Sequence, residues 1–167
     1  MRTEIKKIDI YEFDELSEEI QEKLLEKEIQ QQREMYCTDG FLYEDMAEKA
    51  RRLLEKYFGD KASYTEVYYD LSYSQGSGAM IEFETTYYGV YVQVRQRGLY
   101  YHERSFDIDY EGYLGEKRYN QLREKIIKMN IELGKSGYSI LEDEDNFRDG
   151  ALLWLEEQEF TKDGEIY

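Results

Sequence analysis

The chain of 167 residues has no proline and only one cysteine, one histidine and one tryptophan. Without proline there are no rigid linkers and no forced helix breaks, which suits a compact body of helices and strands. A lone cysteine, Cys37, excludes an internal disulfide framework and agrees with a reducing compartment. A lone histidine, His102, excludes a multi-histidine metal site. No apolar run approaches the ~20 residues that span a bilayer. The opening Met1-Arg2-Thr3-Glu4-Ile5-Lys6-Lys7 lacks the apolar stretch of a signal peptide. The expectation is a soluble cytoplasmic protein that does not bind membranes.

Positive charge is also scarce. Lys and Arg number 22 against 38 Asp and Glu, a net charge of −16. Phosphate binding depends on Lys and Arg releasing counterions, so direct nucleic-acid binding is not expected. A basic partner, by contrast, is steered toward such a field. The acidity is uneven: residues 1–60 carry −7, residues 61–140 only −1, and residues 141–167 carry −8. Half of the excess sits in the last sixth of the chain.

What is present in quantity is tyrosine. Eleven of the eighteen lie between Tyr64 and Tyr113, interrupted by Ser72-Tyr73-Ser74-Gln75-Gly76-Ser77-Gly78-Ala79. Over that stretch hydrophobicity has a period of two. Val67, Tyr69, Leu71 and Tyr73 are assigned to one face, with Tyr68, Asp70, Ser72 and Ser74 on the other. Ala79, Ile81 and Phe83, then Val90, Val92 and Val94, then Phe106, Ile108 and Tyr110 continue the alternation. Glycines 76, 78, 89 and 98 fall where hairpin turns are needed. Four strands in an antiparallel meander are predicted, with one face buried.

Elsewhere the period is helical. Residues 4–13 alternate weakly and read as a first strand, and Asp14 to Ser17 carry helix-start chemistry. Ile20, Leu24, Leu25 and Ile29 then mark a charged helix to about Tyr36. Leu42, Met46, Ala50, Leu53 and Tyr57 mark a second that stops at Phe58-Gly59-Asp60. Tyr119, Leu122, Ile126, Met129 and Leu133 mark a third, capped by Gly134 or Gly137. Phe147, Leu152, Trp154 and Leu155 lie in a fourth, and Asp163-Gly164 reads as a turn before Ile166. The expected architecture is one α+β domain over residues 1–167, with about four helices covering one face of the meander.

No chemistry can be assembled from spacing. Gln75-Gly76-Ser77-Gly78 lacks the lysine of a phosphate loop and leads into a strand, so it reads as a turn presenting Ser74, Gln75 and Ser77. His102 and Glu103 are strand neighbours on opposite faces and form no dyad. Cys37 has no catalytic signature and reads as a half-buried or incidental thiol. A calcium-loop frame would put Asp145, Asp149, Gly150 and Glu156 at positions one, five, six and twelve, but Phe147 at position three cannot ligate. An acidic first helical turn is the simpler reading. Arg95, Arg97, His102 and Arg104 form a small basic island among Tyr91, Tyr100 and Tyr101, expected to pair with Glu82, Glu84 or Asp107. Neither catalytic residues nor a metal or cofactor is expected.

Three segments carry a resemblance. Ile10-Tyr11-Glu12-Phe13-Asp14-Glu15-Leu16-Ser17-Glu18-Glu19, Leu71-Ser72-Tyr73-Ser74-Gln75-Gly76-Ser77-Gly78-Ala79 and Glu159-Phe160-Thr161-Lys162-Asp163-Gly164-Glu165-Ile166-Tyr167 resemble a family of small acidic phage and prophage proteins. That family carries an "FDELS" helix start, a "SQGDGA" hairpin and a terminal "YEF-x-x-DG" strand. Tyr100-Tyr101-His102 before Ser105-Phe106 is similar to its "YYH" segment. Ser77 departs from the family's usual Asp, which favours a structural turn. The family is largely uncharacterised, with anti-defence or antitoxin-like labels. The resemblance, together with the acidic charge and the lack of catalytic residues, leads to the expectation of an anti-CRISPR-like inhibitor, a nucleic-acid mimic that occupies a basic host nuclease. An antitoxin-like partner of a basic toxin, and a phage accessory protein binding single strands on the tyrosine sheet, stand as alternatives. The expected partner-binding residues are Glu18, Glu19, Glu22 and Glu26, then Tyr68, Ser74, Gln75, Ser77 and Tyr91, and Glu142, Asp143, Glu144 and Asp145.

Overall fold

The computed structural model describes residues 1–167 and has an α+β fold. In chain order the elements are α1 (Glu18–Thr38), α2 (Phe41–Phe58), β1 (Ser63–Asp70), β2 (Gly78–Tyr87), β3 (Val90–Gln96), β4 (Phe106–Tyr110), α3 (Glu116–Glu142) and α4 (Asp145–Glu156). The chain divides into two compact units. Gly40–Glu142 forms the first. Met1–Asp39 and Asp143–Tyr167 together form the second.

Within Gly40–Glu142 the four strands make an antiparallel meander in the order β1-β2-β3-β4. The hairpin between β2 and β3 turns on Tyr88 and Gly89, with φ of 48° and 76°. Two successive positive φ values make the type I′ turn whose twist matches that of the strands, and glycine at its second position meets the requirement without strain. Val67, Ile81, Phe83, Val92 and Val94 share one face and are buried there. Helices α2 and α3 pack on that face and on each other. Phe58 of α2 meets Phe83 at a centroid separation of 5.0 Å. α1 and α4 belong to the other unit and pair with each other, so two helices of the four cover the sheet within its own unit.

The third helix runs past both glycines expected to cap it. Gly134 and Gly137 are buried inside α3 with negative φ. A Cβ on Gly137 would lie 2.8 Å from Leu71 Cδ1 and 3.0 Å from Met46 Sδ. Glycine there serves close approach of helix and neighbours, because tertiary packing outweighs its weak helix propensity of ~1 kcal/mol. Asn130, fully buried on the same helix, accepts from Ile81 N–H at 3.0 Å and donates to the Glu103 carbonyl at 3.1 Å.

Two carboxylates tie the helices into this unit. Glu132 of α3 accepts from Lys56 Nζ at 2.8 Å and Tyr57 Oη at 2.8 Å, both on α2. Those donors, Lys56 foremost, hold the Glu132 carboxyl below the usual glutamate range. Glu66 on β1 accepts from Tyr43 Oη at 2.6 Å and from Val67 N–H at 2.9 Å, and its carboxyl is lowered chiefly by the tyrosine. A carboxyl depressed in the folded state adds stability above its unfolded value and loses it as pH falls through the folded one. Melting temperature should therefore drop on the acid side, below the ordinary glutamate range. Glu132→Gln should flatten that acid limb in a series of thermal melts against pH. An acid slope identical to the parent's would refute the assignment.

The second unit is built on α1, α4 and the C-terminal segment. Ser17 caps α1, its Oγ accepting Ile20 N–H at 3.4 Å, one turn after a 3₁₀ turn at Phe13–Glu15. Phe13, Leu16, Leu155 and Phe160 form its core with Ile20, Leu24, Leu25 and Trp154 against them, and Ile29, Phe147 and Ala151 continue it. Residues 4–10 are not a strand: Ile5, Ile8 and Ile10 are exposed, and pairing is confined to Tyr11, whose N–H and carbonyl both bond Phe160. A weakly alternating segment becomes a strand only where a neighbour offers a backbone ladder, and here one residue finds it. The closing turn forms as expected. Phe160 also bridges Ile166, and Gly164 has φ of 84°, where a Cβ would lie 2.6 Å from Ile20 Cγ2.

Candidate functional site

The two units differ sharply in charge. Met1–Asp39 with Asp143–Tyr167 holds 21 acids against 8 bases, a net −13 on 64 residues. Gly40–Glu142 holds 17 acids against 14 bases, a net −3 on 103 residues. Opposite charges meet in the acidic unit in one ion pair, Lys23 to Glu19 at 2.8 Å, on the solvent side of α1. That bond holds Glu19 below and Lys23 above their ordinary values.

The helical period explains how the carboxylates come to be displayed. Leu24, Leu25 and Ile29 pack into the core of this unit, while Glu18, Glu22 and Glu26 fall on successive turns along the flank of that stripe and stay exposed, with Glu19 beside them. Asp143, Glu144 and Asp145 are exposed at the start of α4. Asp143 Oδ1 accepts Asp145 N–H at 3.1 Å, satisfying one of the orphan donors of that helix. α4 is helical from Asp145 to Glu156, so the calcium-loop frame through Asp149, Gly150 and Glu156 does not form. Glu142, the last residue of α3, is exposed and belongs to the sheet unit.

The remaining expected residues lie on the sheet unit, and the structure gathers some of them. Ser72, Ser74 and Ser77 form a hydroxyl cluster at the β1–β2 turn, with Oγ separations of 2.7, 3.2 and 3.1 Å. Tyr73, between them, is out of strand register at φ 59°, and its ring lies on Tyr138 at 4.3 Å. The β3–β4 loop folds against this turn. A Cβ on Gly76 would meet Tyr100 Cδ1 at 2.5 Å, and one on Gly78 would meet His102 Cα at 3.0 Å. The contact leaves a hollow of about 390 Å³ bordered by Gln75, Ser77, Tyr100, His102, Glu103 and Arg104. His102 Nδ1 accepts the Arg104 N–H at 3.0 Å, while the serine hydroxyls bond one another. The loop residues gained at this turn were not readable from spacing, since twenty-four residues separate Gly76 from Tyr100.

Tyr68 and Tyr91 have different surroundings. Tyr68 is half-buried, its ring 5.4 Å from that of Tyr101. Tyr91 is about half exposed and its Oη accepts Gln93 Nε2 at 3.3 Å. The basic island is largely engaged: Arg97 pairs with Asp107 at 3.2 Å and Arg95 donates to Gln93 at 2.8 Å. Cys37 is exposed and free, with partial desolvation raising its thiol above the usual value. A raised thiol pKa makes it a slow nucleophile at neutral pH.

No protein-family model matches this chain, and neither a curated protein nor a solved structure does. No helix is long and apolar enough to cross a membrane.

Proposed function

We propose that the protein is a non-enzymatic inhibitor that uses its acidic unit to occupy the basic surface of a nucleic-acid-handling protein. A host defence nuclease is the partner implied by the phage-family resemblance. The observation that carries the reading is the partition of charge, −13 on one 64-residue unit with a single internal ion pair. Unpaired carboxylates repel one another and lower stability, so concentrating them on one unit has a cost that a basic partner offsets. Glu18, Glu22 and Glu26, one helical turn apart, repeat at roughly 6 Å, close to the spacing of phosphates along a nucleic-acid strand. Complementary charge of this kind mainly sets on-rate and choice of partner.

The antitoxin alternative uses the same surface with a toxin in place of the nuclease. The single-strand reading has less support, because the Arg97 guanidinium is already paired and the Tyr68 and Tyr101 rings pack on each other.

Capture from host lysate at low and at high salt, followed by mass spectrometry, tests the proposal. A basic nucleic-acid-binding protein should be held at low salt, shed at high salt, and displaced by duplex DNA. Neutralising Glu18, Glu19, Glu22 and Glu26 together to Gln should weaken that complex about 10–100-fold, taking ~0.3–0.7 kcal/mol per exposed pair. Retention that ignores both salt and the four substitutions would overturn the proposal.

A further inference from the structure

The acidic unit contains a partly enclosed cavity of about 300 Å³ between α1, α4 and the C-terminal turn. Leu24, Trp154, Leu155 and Phe160 make its walls apolar and aromatic, while Glu28 and Glu165 bring carboxylates to it. Glu28 is the unusual member. It is only 6% exposed, although it is a glutamate on a helix whose other acids face solvent. Its Oε1 accepts from Gln32 Nε2 at 3.0 Å. That neutral donor is a poor substitute for water around a carboxylate, and a buried charge is retained at reasonable cost only when paired. No ion pair to Glu28 forms: Lys27, the preceding residue, also lines the cavity but is exposed and leaves the helix about a quarter-circle away.

The geometry points to this cavity as the receptor for one arginine side chain of the protein partner, its guanidinium on Glu28 and its methylene stem against Trp154 and Phe160. This inference deepens the proposed function and rests on that reading, since it names the anchor by which the acidic unit would hold a basic surface. Arginine fits better than lysine on three counts. Its planar fork matches a carboxylate with two acceptor oxygens. It is less strongly hydrated and so enters a half-closed site more cheaply. It also stacks on aromatic faces, tryptophan best of all. Arginine and aromatic residues are enriched among interface hot spots, which sit in well-packed, desolvated pockets, whereas rim charges add little each.

Trp154 is the only tryptophan of the chain, so its emission and its indole N–H resonance report the cavity directly. The probe is N-acetyl-arginine methylamide, compared with the citrulline analogue, which has the same shape without the charge. Arginine should change Trp154 emission saturably in the millimolar range, with citrulline at least ten-fold weaker. Glu28→Gln keeps size and the bond to Gln32 yet should lose about ten-fold in affinity, or ~1.4 kcal/mol. Lys27→Ala, at an exposed position that leaves the core intact, should bind arginine more tightly because a repelling rim charge is gone. No saturable change with arginine, equal binding of citrulline, or a Lys27→Ala variant no tighter than the parent would each overturn the inference. Should arginine fail while a polybasic partner is still held in a salt-dependent way, the pocket is wrong and the acidic-surface reading stands. If arginine binds but the four-glutamine variant keeps its partner unchanged, the reverse holds.

Discussion

Truncating Phe160 to alanine is expected to remove about 3–5 kcal/mol and to unravel the acidic unit. Phe160 is fully buried, meets Phe13 at a centroid separation of 6.3 Å, and packs with Leu16 and Leu155. Its backbone joins both ends of the chain, bonding Tyr11 on one side and bridging Ile166 on the other. A 64-residue body with this few buried residues has a total stability of only ~3–10 kcal/mol by the usual per-residue figure. The loss is thus of the same size as the whole. Hydrogen exchange should show the amides of α1 and α4 losing protection, and Trp154 emission should shift to the red as water reaches it. The strands should keep their protection, because their core is Phe83, Ile81, Val92 and Val94 with Leu122, Ile126 and Leu133 from α3. Protection of α1 and α4 equal to the parent's would show that the core assigned to this unit is not what holds it.

The second large effect is expected at Asn130. Replacement by leucine keeps the volume but leaves the Ile81 N–H and the Glu103 carbonyl without this partner inside the protein. Buried polar groups left unsatisfied cost ~1–3 kcal/mol each, so a total of about 2–6 kcal/mol is expected. Because one side chain links α3, the central strand β2 and the β3–β4 loop, the consequence should reach beyond stability. The Ile81 amide should exchange faster, and residues 97–105 should lose their hold on the β1–β2 turn. Urea unfolding followed by circular dichroism gives the first quantity and amide exchange the second. A loss under ~0.5 kcal/mol would mean the two bonds contribute nothing beyond what water supplies.

Much of the fold was written in periodicity. A step of two from Val67 to Tyr110 located the meander, and apolar stripes at helical spacing located the first three helices, because in each case one face is buried and the other wet. The fourth is marked in the sequence only by an acidic segment carrying Phe147, Leu152, Trp154 and Leu155. What failed depended on contacts between residues far apart in sequence. Gly134 and Gly137 resemble helix stops until Leu71 and Met46 are seen pressed against the second of them. Residues 4–13 alternate like a strand, yet strand formation needs a neighbour, and only Tyr11 meets one. The pairing of α1 with α4 was equally hidden, since more than a hundred residues separate them. The carboxylates on the outer face of α1 were legible as a charged helix face. Glu28 was not, though a signal existed: it stands four residues after Leu24 and one before Ile29, on the stripe that the leucines and isoleucine define.

One consequence follows from the order in which the chain is threaded. The sheet unit is a single uninterrupted segment, Gly40–Glu142, whose strands pair strictly with their sequence neighbours. The acidic unit is split, with its first half made before the sheet and its second half after. On the ribosome, where domains fold as they emerge, the meander can assemble while α1 still has no α4 to pack on. The strongly charged first helix must therefore wait for the α4 it packs on until residues 145–156 have been synthesised. High net charge favours solubility, so its dense carboxylates would oppose association of the nascent chain during that interval.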